Sequence, residues 1–187
     1  MARPRSEAKY NAILDAAASL IAEFGLGAAT AQIAQRAGVP HGSVFTYFAT
    51  KEALFNTLYL SLKSELTEAV LAEMPTEGDT RAQMRHLWMV WTGWGVANPA
   101  KRRALAQLGV SEVVSDQSRK AAYEKAETTL ALVRRASAGG ALAQTPQYAA
   151  ALVEAMASTT MDFMALSPAS ADILCNAGFE ALWQALS

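Results

Sequence analysis

The chain offers few residue types that could do chemistry. Of its 187 residues two are histidine and one is cysteine, and neither His41 nor His86 has a sequence neighbour that completes a nucleophile or metal-ligand motif. Cys175 has no partner for an intramolecular disulfide, which fits a reducing compartment, and it reads as a small buried hydrophobe. Gly25, Gly27, Gly38 and Gly42 punctuate helices and do not form a phosphate loop. No catalytic residue, metal site or cofactor is therefore expected, and an enzyme is not the expected class. Recognition chemistry remains, and it is concentrated in Ala37-Gly38-Val39-Pro40-His41-Gly42-Ser43-Val44-Phe45-Thr46-Tyr47-Phe48. This stretch holds an imidazole, hydroxyls and aromatic rings, and it has no lysine or arginine.

Helices must position that stretch. Tyr10, Ile13, Leu14, Ala17, Leu20, Ile21 and Phe24 recur at three- and four-residue steps, the pattern of an amphipathic helix, and Gly25 ends it. A short helix over 30–37 and another through Phe48 flank a turn marked by Gly38 and Gly42, which is helix-turn-helix geometry. Thr50 can cap a long fourth helix with a stripe of Leu54, Leu58, Leu62 and Leu66 running to about Met74. A polar turn over 75–79 precedes a helix with Trp88, Trp91 and Trp94, and Pro99 opens a basic helix containing Lys101, Arg102 and Arg103. A helical stretch over 111–138, interrupted around Ser115 to Ser118, and two final helices over 146–166 and 169–186 complete an all-α fold of about nine helices.

Composition narrows the class. Hydrophobic residues make up 52% and charged residues 18%, enough for a folded core and too few charges for a disordered chain. The uncharged run from His86 to Ala100 has 15 residues, whereas a membrane span needs about 20, and the N-terminus has no signal-peptide pattern. A soluble, cytoplasmic protein is expected. The net charge of −1 conceals an asymmetry: residues 1–51 hold five basic and three acidic residues, the remainder eleven and fourteen.

A helix-turn-helix inserts the start of its second helix into the DNA major groove while the first helix crosses the backbone. His41, Gly42, Ser43 and Val44 would then approach the bases, with Gly42 admitting close backbone approach, the Ser43 hydroxyl donating or accepting, and Val44 offering methyls to thymine. Phe48, Ile33 and Val39 sit where the head needs core. Arg3 and Arg5 could form a basic arm in the adjacent minor groove, or a loosely ordered tail.

Ile13-Leu14-Asp15-Ala16-Ala17, Phe24-Gly25, Ile33 through Val39, Gly42 through Phe48 and Lys51-Glu52-Ala53-Leu54 agree in order and spacing with one family. Over about 45 residues the chain resembles the DNA-binding domain of the TetR family of transcriptional regulators. The resemblance implies an Ω-shaped homodimer of all-helical subunits, with a three-helix DNA-binding head (1–50) and a larger ligand-binding and dimerisation body (51–187). It also implies double-stranded DNA with an inverted-repeat operator, and a small-molecule inducer, as partners. Carried over by position, Thr30 and Lys51 fall on phosphate contacts, Tyr47 on a backbone contact, and His41, Ser43, Val44 and Thr46 in or beside the groove. Ala29 departs from the family's usual hydroxyl cap, so Thr30 is expected to cap instead or the helix start to be weaker. Phe45 replaces a frequent tyrosine and is expected to pack. His41 replaces a frequent lysine, so its contribution is expected to vary with pH.

In the body, Met84, Trp88, Trp91 and Trp94 share one side of a helix, and Met156, Thr160, Phe163 and Met164 follow in a later one. Aromatics, methionines and hydroxyls suit an apolar ligand cavity, with His86, Thr92 and Asp162 as polar contacts, though each could equally fill core. Met84, Trp88, Trp91, Thr92, Phe163 and Met164 are the expected ligand residues. Gly140 to Ser187 carries four charged residues, Glu154, Asp162, Asp172 and Glu180, so its helices are expected to bury two faces. The small–large pattern Leu174, Ala177, Gly178, Ala181, Leu182 and Ala185 is the expected dimer interface. Ligand would shift the fourth helix and so change the spacing of heads that must match one DNA turn, roughly 34 Å. The expected function is a repressor released from a palindromic operator by a small, largely apolar inducer. The alternatives are a helical interaction protein without DNA binding and an enzyme with a tryptophan-lined active site.

Overall fold

The computed structural model describes residues 6–75 and 79–187. Arg3, Arg5 and the middle of the polar turn over 75–79 lie outside these residues. Ten α-helices, and no strand, occur among the described residues: α1 (Glu7–Phe24), α2 (Thr30–Arg36), α3 (His41–Tyr47), α4 (Lys51–Leu71), α5 (Thr80–Ala97), α6 (Pro99–Gly109), α7 (Asp116–Lys125), α8 (Glu127–Ser137), α9 (Pro146–Leu166) and α10 (Ala171–Leu186). The expected interruption around Ser115 to Ser118 is instead the start of α7. Ser115 Oγ accepts from the Ser118 amide at 3.2 Å, so the serine caps a helix where the sequence suggested a break. The real interruption is at Ala126, which raises the helix count from about nine to ten.

By packing, the chain forms two compact units, Met1–Ser64 with Asn98–Ala122 and Glu65–Ala97 with Tyr123–Ser187. The division at residue 50 follows the DNA-reading segment; packing groups more of the chain with that segment. In the first unit Ile13, Ala17 and Ile21 of α1, Ile33 of α2, Leu54 and Phe55 of α4, and Ala104 and Leu108 of α6 share one core. Each fully buried Ile, Leu or Phe contributes on the order of 2 kcal/mol, so this cluster outweighs any single polar contact in holding α1 to α6. The end of α1 is closed by the Gly25 amide donating to Ile21 O, and Gln107 Nε2 donates to the same carbonyl at 3.1 Å. Asn56 fastens α4 to the loop before α7: its Nδ2 donates to Val113 O at 2.8 Å and its Oδ1 accepts from the Ser115 amide at 2.9 Å.

The second unit packs α5, α8, α9 and α10 around Trp88, Val133, Ala157, Met161, Phe179 and Leu182, with Leu66 and Val70 from the end of α4. Trp88 Nε1 donates to Cys175 O at 3.0 Å, which satisfies the indole inside this core. α9 has the length and apolarity of a membrane span; here its Ala149, Val153, Ala157, Met161 and Met164 are buried.

Candidate nucleic-acid interface

α2 and α3 meet across a turn whose backbone bonds are all local. The Ala37 amide donates to Ile33 O, and the Val39 amide reaches back to Ala34 O at 3.0 Å. Gly38 makes this possible with φ of +65°, the left-handed region that side-chain-bearing residues avoid. Val39 drops into the core. Pro40 then forms the N-cap of α3, and its carbonyl accepts from the Ser43 amide at 2.8 Å.

On α3, His41, Gly42, Phe45 and Thr46 are exposed, and Ser43 and Tyr47 are half-buried. Val44 corrects an expectation: it is 1% exposed and belongs to the core with Ile33 and Phe48, so its methyls cannot meet a base. The exposed apolar group is Phe45 at 45%, which the sequence assigned to packing. Its ring stands edge-on to His41 with centroids 5.5 Å apart. The missed signal was helical spacing, because a residue four positions after His41 shares its face.

Thr30 does not cap α2. Ala29 occupies that position, and its amide donates to Gln32 Oε1 at 3.2 Å, leaving a one-sided capping arrangement. The Thr30 hydroxyl lies 3.3 Å from His41 Nε2. Thr46 Oγ1 donates to Gly42 O at 3.3 Å and can still accept. Tyr47 Oη accepts from the Ser6 amide at 2.9 Å, tying α3 to the start of α1. Thr50 caps α4 as expected, accepting from the Ala53 amide at 3.1 Å, and half-buried Lys51 holds its Nζ 5.3 Å from the centre of the Phe55 ring. The Arg36 guanidinium hydrogen-bonds Glu23 and holds its carboxyl below the usual range. The Glu52 carboxyl is lowered too, first by its own backbone amide and then by the Thr50 hydroxyl.

In the second unit the expected ligand residues part company. Met84, Trp88 and Thr92 are fully buried, and Thr92 Oγ1 donates to Trp88 O at 2.8 Å, so these three fill core. Met164 is buried, whereas Phe163 is 55% exposed, since consecutive helical residues point about 100° apart. Trp91 and Trp94 are half-buried, and Trp94 Nε1 donates to Glu65 Oε1 at 3.0 Å. His86 Nε2 lies 3.0 Å from Val70 O and 3.1 Å from Ala72 O. Two carbonyl acceptors require the proton on that nitrogen, so His86 caps the end of α4.

The expected dimer residues also divide. Ala177, Ala181 and Ala185 are exposed and Leu174 is half-buried, but Leu182 is fully buried in its own unit. A Cβ at Gly178 would come within 2.6 Å of Thr160 Oγ1 and 2.9 Å of Trp88 Cζ2, so Gly178 serves close packing within the unit. Exposed Tyr148, Phe163 and Leu166 on α9 and Ile173 on α10 were not in the expected set.

An all-helical chain with this turn and this exposed second-helix face has helix-turn-helix architecture. A family model described as bacterial regulatory proteins, tetR family, matches residues 13–58. The HTH-type transcriptional repressor Rv3405c of Mycobacterium tuberculosis is 41% identical over 76 residues, 40% of each chain, so the match spans less than half of that relative. A tetR family transcription regulator from Shewanella sp. PV-4 superposes with a TM-score of 0.78 at 28% identity, covering 97% of this chain and 98% of its own. The TetR-like regulator LfrR of Mycobacterium smegmatis, solved in complex with proflavine, has a TM-score of 0.72 at 20% identity, covering 97% and 98%. Residues 13–58 thus resemble the DNA-binding segment of the tetR family, and the whole chain shares its fold with tetR family structures.

Proposed function

We propose that this chain is a cytoplasmic, homodimeric repressor that binds a short inverted repeat and is released by a small, largely apolar ligand. The observation that carries the reading is the face of α3: His41, Gly42 and Thr46 are exposed, with Ser43 and Tyr47 beside them, while Val44 anchors the helix from behind. Base readout falls to His41, Gly42, Ser43 and Thr46, and Thr30, Tyr47 and Lys51 contact the backbone. Phe45, exposed on the same side, joins them as an apolar contact for a thymine methyl.

Dimerisation uses the exposed small residues Ala177, Ala181 and Ala185 with Leu174. Phe163 and Leu166 of α9 and Ile173 of α10, in the same unit, are large, apolar and exposed, in a chain end nearly without charge. The ligand contacts Trp91, Trp94 and Met156, which are half-buried, and not the filled core at Trp88. That LfrR binds proflavine in a similar fold supports a small aromatic or apolar molecule as the class. α4 carries residues of both compact units, and a shift of this helix on ligand binding lowers DNA affinity. Ligand must then bind the operator complex more weakly by the same factor.

Selection of bound duplexes from a random pool tests the reading, with an enriched inverted repeat as the expected result. Affinity for that repeat should fall steeply with salt, and Lys51→Ala should reduce the salt slope by about 1 per head without changing the preferred sequence. A pool that yields no repeat would favour a helical interaction protein, and turnover of a captured ligand would favour an enzyme.

A further inference from the structure

We propose that His41 and Thr30 act as one switched unit at the DNA backbone, in which protonation of His41 makes the Thr30 hydroxyl a fixed donor toward a phosphate. The inference rests on the DNA-binding reading above. Thr30 opens α2 and His41 opens α3, so their contact joins the helix that crosses the backbone to the helix that enters the groove. Thr30 Oγ1 and His41 Nε2 are 3.3 Å apart, and the Phe45 ring edge braces the imidazole.

A threonine hydroxyl has one proton and two acceptor positions. When the neutral imidazole carries its proton on Nδ1, Nε2 accepts from Thr30, and the hydroxyl presents only lone pairs outward. A phosphate oxygen is repelled by that arrangement. When Nε2 carries a proton it donates to Thr30 Oγ1, and the hydroxyl proton is free to bond phosphate. Protonation of both ring nitrogens removes the first arrangement and adds a positive charge beside the contact. DNA binding and proton uptake are therefore coupled, each favouring the other.

The charged groups of the adjoining helices act elsewhere. Arg36, the last residue of α2, is paired with Glu23 of α1; Lys51 and Glu52 lie in the first turn of α4, and Tyr47, the titratable neighbour on α3, accepts from Ser6. The recognition segment has no permanent cation of its own. His41 supplies a conditional one, present when both ring nitrogens carry protons.

The test uses the full chain and a duplex recovered by selection. Affinity is measured at constant ionic strength between about pH 8 and pH 5.5 for wild type, Thr30→Val and His41→Gln. Wild type should tighten by roughly tenfold as pH falls. Thr30→Val, similar in shape and lacking the hydroxyl, should lose most of that gain, and His41→Gln, a donor that does not titrate, should give a flat profile. Calorimetry in buffers of different ionisation enthalpy provides a second readout: wild type should take up protons on binding within this pH range, and His41→Gln should not. A full pH response in Thr30→Val, or proton uptake that persists in His41→Gln, overturns the switch while leaving DNA binding intact. Failure of wild type to bind any selected duplex overturns the DNA-binding reading and the switch together.

Discussion

Ser43, Val44, Phe45 and Thr46 occupy consecutive positions in α3, and turns of about 100° between them set their surroundings apart. Val44 is held in the core, Phe45 and Thr46 face solvent, and Ser43 is between. The hydroxyls and the imidazole of the recognition segment were legible as contact chemistry because few other roles suit them in a tight turn. The Val44 assignment was not, since a methyl group serves core and groove equally well. A testable consequence at this scale concerns Glu23 and Arg36. Their hydrogen bond lowers the folded-state pKa of Glu23, so its stabilising effect is present above the unfolded pKa and is lost as pH falls through the folded one. Arg36→Gln should raise the Glu23 titration midpoint, followed by NMR, toward the ordinary carboxylate value. The melting-temperature difference between wild type and variant should be present at neutral pH and vanish in acid; a difference that persists unchanged in acid would assign the effect to something other than this pair.

Helix boundaries rest on short-range chemistry, and most were readable from Gly, Pro and capping residues. Thr50 and Gly25 end or begin helices as their types suggest. Ser115 misled because a serine favours both loops and N-caps, and only the amide of Ser118 decides between them. Gly178 misled in another way. Its small size implies close helix approach, but sequence does not say which helix approaches. The neighbours prove to be Thr160 of α9 and Trp88 of α5, so Gly178→Ala should overpack the second unit and destabilise it by about 1–3 kcal/mol. Urea unfolding monitored by tryptophan fluorescence would measure this, with exposed Gln184→Ala on α10 as a surface control expected to be near neutral. Equal stability of Gly178→Ala and wild type would mean that α9 and α10 relax apart freely.

At the scale of the molecule, charge is scarce over 140–187, and helices so apolar are expected to have more than one face to cover. Which face is covered by the chain itself depends on the packing of α5, α8, α9 and α10. Leu182 turns inward and Ala181 outward, one residue apart. Ala181→Arg should therefore leave the fold intact, because its position is exposed, and weaken self-association by at least about tenfold, because a charge would be trapped without a partner. Sedimentation equilibrium with circular dichroism separates the two effects. A folded variant that associates as tightly as wild type would exclude this face from the dimer.

Sequence alone determined the all-helical class, the helix-turn-helix segment and that segment's resemblance to the tetR family, because periodicity, capping residues and motif spacing are local properties that survive without a three-dimensional frame. Tertiary structure decided which apolar residues are core and which are surface, placing Val44, Trp88, Thr92 and Leu182 inside and Phe45 and Phe163 outside. It also brought Thr30 to His41 across the turn. These outcomes depend on contacts between segments distant in sequence, where a side chain's type permits several neighbours and only the packed fold selects one.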